Sequence, residues 1–193
     1  MNEAYRKVET IYFDRPGAEN TEETLKHAFK RAQELGIKDV VVASTTGETG
    51  LKACQVFKGF NVVIVRHHTG FRKPGTQEMR KEFEEEIKKL GGKILTASHA
   101  LSGIERSIRN KLGTAGMLTI IAETLRLFSE GVKVCVEITV MAADAGLIPV
   151  DREVIAIAGT SRGADTALII KPSHSNDFFN LTIKEVIAKP REK

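Results

Sequence analysis

The stretch VVVASTTGETGLKA, residues 40–53, joins a run of three valines to a helical pattern through a loop of small and hydroxyl-bearing residues. Consecutive β-branched residues are typical of a buried strand, and a helix pattern begins near Thr49. A simple turn needs only one or two special residues, whereas this loop combines a serine, three threonines and two glycines. The stretch therefore predicts a strand–loop–helix unit whose loop is a candidate binding site.

Strands and helices alternate on both sides of this unit. The predicted order is a strand at 10–14, a helix that begins at Asn20 or Thr21 and ends before Gly36, a strand at 39–44, a helix at about 49–58, a strand at 61–68, an amphipathic helix within 76–92 and a strand at 93–98. Such alternation is typical of a parallel sheet with helices on both faces.

The second half of the chain follows another pattern. Residues 101–145 predict three consecutive helices, and the last of them, from residue 132 on, is apolar on nearly every side. That composition indicates a buried helix, although its valines and isoleucines also fit a strand. Only six residues separate the strands predicted at 154–159 and 166–172, too few for a crossover helix, so the two are expected to be antiparallel. Residues 181–190 alternate like a half-exposed edge strand.

Composition limits the classes of function. With 193 residues, of which 41% are hydrophobic, we expect one domain spanning residues 1–193. The 29 basic and 25 acidic residues are mixed along the chain and tryptophan is absent, which disfavours a nucleic-acid partner. No apolar run has the length of a membrane span or a signal peptide, so no membrane partner is expected. Cys54 and Cys135 lie in apolar surroundings without a CxxC motif, which predicts reduced core thiols and a cytoplasmic protein.

The loop of residues 44–50 lies where a strand ends and a helix begins, and the carboxyl ends of parallel strands are the usual ligand edge of an α/β sheet. Free N–H groups and the helix dipole at such a position favour an anion, and glycines allow a phosphate to approach the backbone. Neither the Walker nor the Rossmann spacing is present, so a single phosphate is supported but ATP or a dinucleotide is not. Alternatively, the loop caps the helix without a ligand.

A second loop, within GTSRGADT at residues 159–166, strengthens the phosphate hypothesis. Arg162 stands among small hydrogen-bond donors, and an arginine can hold a phosphate with two parallel hydrogen bonds. If this hairpin opens onto the same crevice as the first loop, the two would enclose one ligand. The alternative is a solvated hairpin tip.

Residues 40–57 and 154–172 resemble the strand–loop–helix unit and the last strand pair of the pyruvate kinase C-terminal domain. In allosteric pyruvate kinases, the corresponding loops bind a sugar bisphosphate effector. The whole chain, including residues 11–25, 113–125 and 141–149, resembles a group of stand-alone archaeal proteins of that fold. This resemblance implies a three-layer α/β/α domain, a mostly parallel sheet with one antiparallel strand, and a pocket for flavin mononucleotide (FMN).

The departures from pyruvate kinase also matter. Its catalytic barrel does not fit within 193 residues, so we expect no pyruvate kinase activity from this chain alone. Glu48 stands where the kinases commonly have a basic residue, which favours a ligand with one phosphate over a bisphosphate.

Further candidates follow the third and fourth strands. His67, His68 and His99 end these strands and could act as bases or ligand contacts, or could be ordinary surface residues. Neighbouring strand residues point to opposite faces, so His67 and His68 are not expected to share a metal ion, and no metal is predicted. Phe71, after Gly70, could stack on a planar ring. Asn110, Lys111 and Thr114 could bind a flavin's polar edge or simply decorate a helix end.

The first hypothesis is therefore a protein that binds a phosphorylated small molecule, FMN above all, either as an FMN-dependent oxidoreductase or as a flavin carrier. The alternatives are a non-catalytic sugar-phosphate sensor and, more weakly, a phosphosugar hydrolase or isomerase that uses His67 or His99 as base. The oligomeric state is left open, with a homo-oligomer as one option, and no catalytic residue is assigned. The candidate ligand residues are Ser44, Thr45, Thr46, Gly47, Glu48, Thr49, Gly50, His67, Gly70, Phe71, Asn110, Lys111, Thr114, Thr160, Ser161, Arg162, Gly163, Ala164 and Asp165.

Overall fold

The computed structural model describes residues 5–192, which form seven strands and six α-helices. The strands are β1 (Ile11–Phe13), β2 (Asp39–Ala43), β3 (Asn61–Arg66), β4 (Lys93–Thr96), β5 (Val154–Ala158), β6 (Thr166–Lys171) and β7 (Thr182–Pro190). The helices are α1 (Thr21–Leu35), α2 (Glu48–Val56), α3 (Lys81–Lys89), α4 (Gly103–Leu112), α5 (Met117–Arg126) and α6 (Glu130–Asp144). Residues 1–4 and 193, which the one-domain prediction includes, lie outside the described residues, and that prediction stays untested.

One sheet contains all seven strands in the order β1-β7-β6-β5-β2-β3-β4. The neighbours of β6 run antiparallel to it, and the other neighbouring pairs are parallel. The predicted antiparallel pairing of the two strands after residue 153 is confirmed, with Ala158 opposite Thr166 at the hairpin end. The sheet is thus mostly parallel with one antiparallel strand, as expected.

Helices cover both faces of the sheet and complete the predicted three-layer α/β/α arrangement. Side chains of α1, α2 and α3 pack on one face, where Leu25, Ala53 and Ile87 meet Val42 and other strand residues. On the opposite face α6 packs against the sheet, and α5 packs on α6. These two apolar interfaces bury the strands on both sides, which explains the continuous valine and isoleucine runs of β2, β3 and β5.

Two expectations from the second half of the chain have different outcomes. The apolar segment after residue 131 is the helix α6, and most of its residues are buried between the sheet and the outer helix. The predicted strand at 181–190 is present as β7, but its prediction as the edge strand is wrong, because the short β1 pairs with Ala188–Pro190 on the outer side of β7. A three-residue strand near the start of the chain gave no period-2 signal long enough to reveal that pairing.

The structure also places both cysteines and limits the length of its apolar helices. Cys54 and Cys135 are both buried free thiols, in agreement with the core role expected for them. Burial raises the pKa of Cys54 to about 11, so this thiol is protonated and unreactive at neutral pH. Within residues 5–192, no helix is both long enough and apolar enough to span a membrane.

Candidate functional site

The loop after β2 is held by its own serine. The Ser44 N–H donates to the carbonyl oxygen of Val65 at 2.9 Å, and the Ser44 hydroxyl oxygen accepts from the N–H of Gly50 at 3.0 Å. Ser44 is buried and therefore caps the start of α2 from inside the fold. The N–H groups of Glu48 and Thr49 belong to the first turn of the helix, where no intrahelical acceptor exists. Those two donors, with the half-buried hydroxyls of Thr45 and Thr46, form the polar surface of this loop.

Packing accounts for both glycines of the loop. Gly47 has a φ of +102°, and a Cβ placed there would lie 2.6 Å from the Cβ of Phe83. A Cβ on Gly50 would lie 2.8 Å from the Ile64 side chain. The first glycine lets α3 approach α2, and the second lets α2 approach β3. The sequence hypothesis that these glycines serve a phosphate is not needed to explain them.

The loop after β5 leaves the sheet beside the loop after β2. The two strands are parallel neighbours, with Val42 opposite Ile157, so Ser44 and Gly159 emerge from adjacent strands at the same edge. Neighbouring strands lie about 4.8 Å apart. The expected meeting of the two loops at one crevice therefore has a topological basis.

A buried carboxylate anchors this second loop. Asp165 is fully buried; one of its oxygens accepts from the N–H groups of Thr160 at 3.0 Å and Gly17 at 3.2 Å, and the other accepts from the Thr166 hydroxyl at 2.8 Å. The Ala164 N–H donates to the Thr21 hydroxyl at 3.0 Å. Asp165 and Ala164 stay predicted ligand residues; in the structure their bonds tie the hairpin to Gly17 and to Thr21 at the start of α1.

The tip of the hairpin is strained and exposed. Ser161 has a φ of +63°, the one left-handed residue other than glycine among residues 5–192. Such a conformation costs about 1–2 kcal/mol and is often found at functional loops. Arg162 is exposed beside it, while a Cβ on Gly163 would lie 2.5 Å from the Cα of Ala18. The hairpin backbone is therefore fixed, and the arginine side chain projects from a rigid base.

Four rings meet beyond the ends of β3 and β4. The ring of Phe71 lies 3.9 Å from that of His67 and is stacked on that of His99 at 5.2 Å, centroid to centroid. The ring of His68 lies 5.5 Å from both Phe71 and His99. The guanidinium of Arg106 on α4 lies 4.6 Å from the Phe71 centroid, a cation–π distance. We call His67, His68, Phe71 and His99 the ring cluster.

The ring cluster corrects one expectation about orientation. His67 and His68 were expected to point to opposite faces of a strand, yet both rings join the same cluster. The reason is that β3 ends at Arg66, so strand alternation no longer applies to the two histidines. No group of three or more His, Cys, Asp or Glu side chains within the described part of the chain is arranged to hold a metal ion.

A hydrogen-bonded chain crosses from the first loop to the ring cluster. The Thr45 hydroxyl lies 3.4 Å from Nε2 of His67, and Nδ1 of His67 lies 2.7 Å from the Glu78 carboxylate. Because a carboxylate only accepts, Nδ1 carries the proton, and Nε2 presents its lone pair to Thr45 when the ring is neutral. Gln77 supports this arrangement, since its side chain donates to the His67 carbonyl oxygen at 3.0 Å. Such a chain can hold His67 as a base.

His99 has a different environment. Burial, together with the charges of Lys133 and the neighbouring histidines, lowers its pKa to about 4, whereas Glu137 opposes the shift. His99 is therefore a neutral ring at physiological pH. It contributes an aromatic surface to the ring cluster rather than a charge.

The remaining candidates lie at the end of α4 and in the loop after β3. Asn110, Lys111 and Thr114 are exposed at and just beyond the carboxyl end of α4. Gly70 has a φ of +85° and donates its N–H to the carbonyl oxygen of Thr76 at 2.9 Å, so it shapes the loop after β3.

Glu78 and Arg106 were missed by sequence reasoning. Glu78 looked like one of many acids in a charged helix, and it lies before the helix begins. Arg106 carried a weak signal, because it stands four residues before Asn110 and therefore on the same helix face.

The model of the pyruvate kinase alpha/beta domain family matches residues 22–170, which is more than half of the chain. The chain belongs to this family. Membership agrees with the mixed seven-stranded sheet and covers both candidate loops. Family membership supports the fold, whereas function depends on the residues of the site.

Two solved structures are similar to this chain at low identity. Cryptosporidium parvum pyruvate kinase in complex with ADP is 16% identical, with a TM-score of 0.39, and the match covers 81% of this chain and 24% of that one. The O-ureido-L-serine-bound K43A mutant of O-ureido-L-serine synthase is 19% identical, with a TM-score of 0.31, and the match covers 56% of this chain and 38% of that one. This chain thus spans about a quarter of the length of the pyruvate kinase.

Proposed function

We propose that this protein binds a phosphorylated small molecule at the carboxyl edge of the sheet, with FMN as the first candidate. The observation that carries the proposal is the adjacency of β2 and β5, which brings the start of α2 and the Arg162 hairpin to one edge. In open α/β sheets, ligands bind in the crevice beyond the strand ends.

One phosphate fits the donors of the two loops. The first turn of α2 offers the N–H groups of Glu48 and Thr49, and Arg162 offers a planar fork for an oxyanion. The exposed carboxylate of Glu48 would repel a second phosphate nearby, which favours a monophosphate. Thr45, Thr46, Thr160 and Ser161 supply further neutral donors.

The ring cluster fits the planar part of such a ligand. His67 and Phe71 lie just beyond the strand next to β2, so a ligand whose phosphate meets α2 would extend toward aromatic surfaces. Asn110, Lys111 and Thr114 stay proposed as polar partners of a flavin. FMN bound here would supply one-electron or hydride redox chemistry, and the chain itself would bind, orient and desolvate it.

A phosphosugar hydrolase or isomerase is the second candidate, and the chain Thr45–His67–Glu78 is the observation that favours it. A histidine whose Nδ1–H is held by a carboxylate has its other nitrogen ready to accept a proton. In this function Nε2 of His67 would accept a proton from the substrate or from water. The donor of that proton would lie where the Thr45 hydroxyl lies in this structure.

The test combines an absorption spectrum of the protein with measurements of ligand binding. An absorption spectrum of freshly purified protein is followed by titration of stripped protein with FMN and, separately, with fructose 1,6-bisphosphate, while thermal unfolding is measured. A ligand at a hundred times its Kd adds about 2.7 kcal/mol of stability. We expect flavin absorption bands or a stabilisation by FMN that Arg162→Ala reduces and the control Lys58→Ala leaves unchanged.

Other results would change the proposal. Stabilisation by the sugar bisphosphate alone would identify a metabolite sensor and reject FMN. Equal affinity of Arg162→Ala for every phosphorylated ligand tested would remove the hairpin from the site.

Several properties stay predictions beside this proposal. They are a cytoplasmic location, a homo-oligomer, the lack of nucleic-acid and membrane partners, and kinship with the stand-alone archaeal proteins of this fold.

A further inference from the structure

A separate cavity lies between α4, α5 and α6, and half of the residues that line it are cations. Its volume is about 30 Å³. The polar residues of its lining are Ser102, Arg106, Arg109, Thr119, Arg126 and Lys133. Within the part of the chain that the structure describes, the lining contains no acidic side chain. Neither candidate loop contributes to it.

The four cations retain donors that could bind a ligand. Lys133 is buried and gives one of its three protons to Glu137, with Nζ 2.5 Å from the carboxylate oxygen. Arg126 binds Glu130 and Glu123 but has five N–H donors in total. Among residues 5–192, neither Arg106 nor Arg109 forms an ion pair. A small anion in the cavity could therefore receive hydrogen bonds from several positive groups.

Nearby carboxylates hold this lining in place. Glu137 also accepts the Leu101 N–H at 2.9 Å, which ties the start of the α4 segment to Lys133 on α6. Glu105 accepts from the N–H and the hydroxyl of Thr119, which joins α4 to α5. These bonds position three helices around the cavity and offset part of its positive charge.

We propose that this cavity binds a small free oxyanion, such as phosphate or sulfate. The cavity, with a volume of about 30 Å³, is larger than the space that a single buried water needs. That size suits one small tetrahedral oxyanion and is too small to enclose a flavin. This anion site is distinct from the proposed FMN site and does not depend on it. Arg106 is near both, because it lines the cavity and also lies over the ring of Phe71.

The experiment is a titration of the protein with inorganic phosphate at constant ionic strength, maintained with chloride and followed by calorimetry. Arg109→Gln is the main variant, because Arg109 is exposed and its loss should leave the fold intact. We expect a saturable phosphate affinity that Arg109→Gln weakens about tenfold, as for the loss of one charged hydrogen bond. Lys58→Gln removes the same charge beyond the carboxyl end of α2 and should leave the affinity unchanged.

Two results would overturn the proposal. One is phosphate binding no stronger than that of chloride at equal ionic strength. The other is phosphate binding that both Arg109→Gln and Arg106→Gln retain but Arg162→Ala abolishes, which would assign the anion to the hairpin. The FMN titration separates the two sites, since Arg109→Gln should not change FMN affinity.

Discussion

Replacing Asp165 with alanine should destabilise the protein strongly, because this fully buried carboxylate satisfies three donors at once. It accepts the N–H groups of Thr160 and Gly17 at 3.0 and 3.2 Å and the hydroxyl of Thr166 at 2.8 Å. Hydrogen bonds to charged groups contribute about 1.5–3 kcal/mol each, and a donor left unsatisfied in the interior costs about 1–3 kcal/mol. Two of the three hydrogen bonds are only partly buried, so water could take the place of the carboxylate as their acceptor. We therefore expect a loss of about 3–5 kcal/mol in the free energy of unfolding, which is less than the full sum for three such hydrogen bonds.

The asparagine variant separates hydrogen bonding from charge. In Asp165→Asn the amide oxygen can take the place of the oxygen that accepts both N–H groups, and the amide nitrogen can donate to the Thr166 hydroxyl oxygen. All three contacts then persist without the charge, and we expect a loss of only about 1–2 kcal/mol.

Urea unfolding of the wild type and both variants, followed by circular dichroism, measures these free energies. If Asp165→Ala unfolds within about 1 kcal/mol of the wild type with an unchanged m-value, the carboxylate does not hold the hairpin and the reasoning fails. Titration with FMN extends the test, because a loosened hairpin should weaken binding more in Asp165→Ala than in Asp165→Asn.

Three further predictions concern the loops and the ring cluster. Ser44→Ala should lose about 1 kcal/mol in urea unfolding, because Gly50 loses its cap, but should keep its affinity for FMN; a large loss of affinity would give Ser44 a direct ligand role. Gly47→Ala should cost at least 1 kcal/mol more than Gly36→Ala, since both positions have positive φ but a Cβ on Gly36 would meet nothing within 4 Å; equal costs would refute the packing explanation. Because burial lowers the pKa of His99 from 6.5 to about 4, the unfolded chain binds more protons between those values, and stability should fall as the pH drops from 6.5 to 4, by at most about 1.4 kcal/mol per pH unit. Urea unfolding at several pH values should show a flatter profile for His99→Gln than for the wild type.

Much of the fold could be predicted from local patterns. The valine run of β2 and the hydroxyl-rich loop after it identified the strand–loop–helix unit, and the six-residue spacing after β5 identified the hairpin. These signals are local because side-chain periodicity and loop length depend only on nearby residues. The pairing of β1 with β7 joins segments about 175 residues apart, and no local pattern records it.

The candidate site divides in the same way. Both loops were found from composition, yet their residues have unequal roles: Ser44, Gly47, Gly50 and Asp165 hold the fold, whereas the Thr45 hydroxyl contacts His67 and the Arg162 side chain is exposed. Composition cannot make this distinction, since a serine that caps a helix and a serine that binds phosphate look the same in sequence. Burial and hydrogen-bond partners decide between them.

The sequence alone predicted the order of strands and helices along the chain and the two loops at the carboxyl edge. Both follow from periodicity and from the residue types that end an element. Only the tertiary structure brought Glu78 to His67, stacked Phe71 on His99 and gathered four cations around one cavity. Each of these groupings joins separate elements across the folded chain. Their geometry depends on helix packing and sheet order, which are decided by how the whole chain buries its apolar surface.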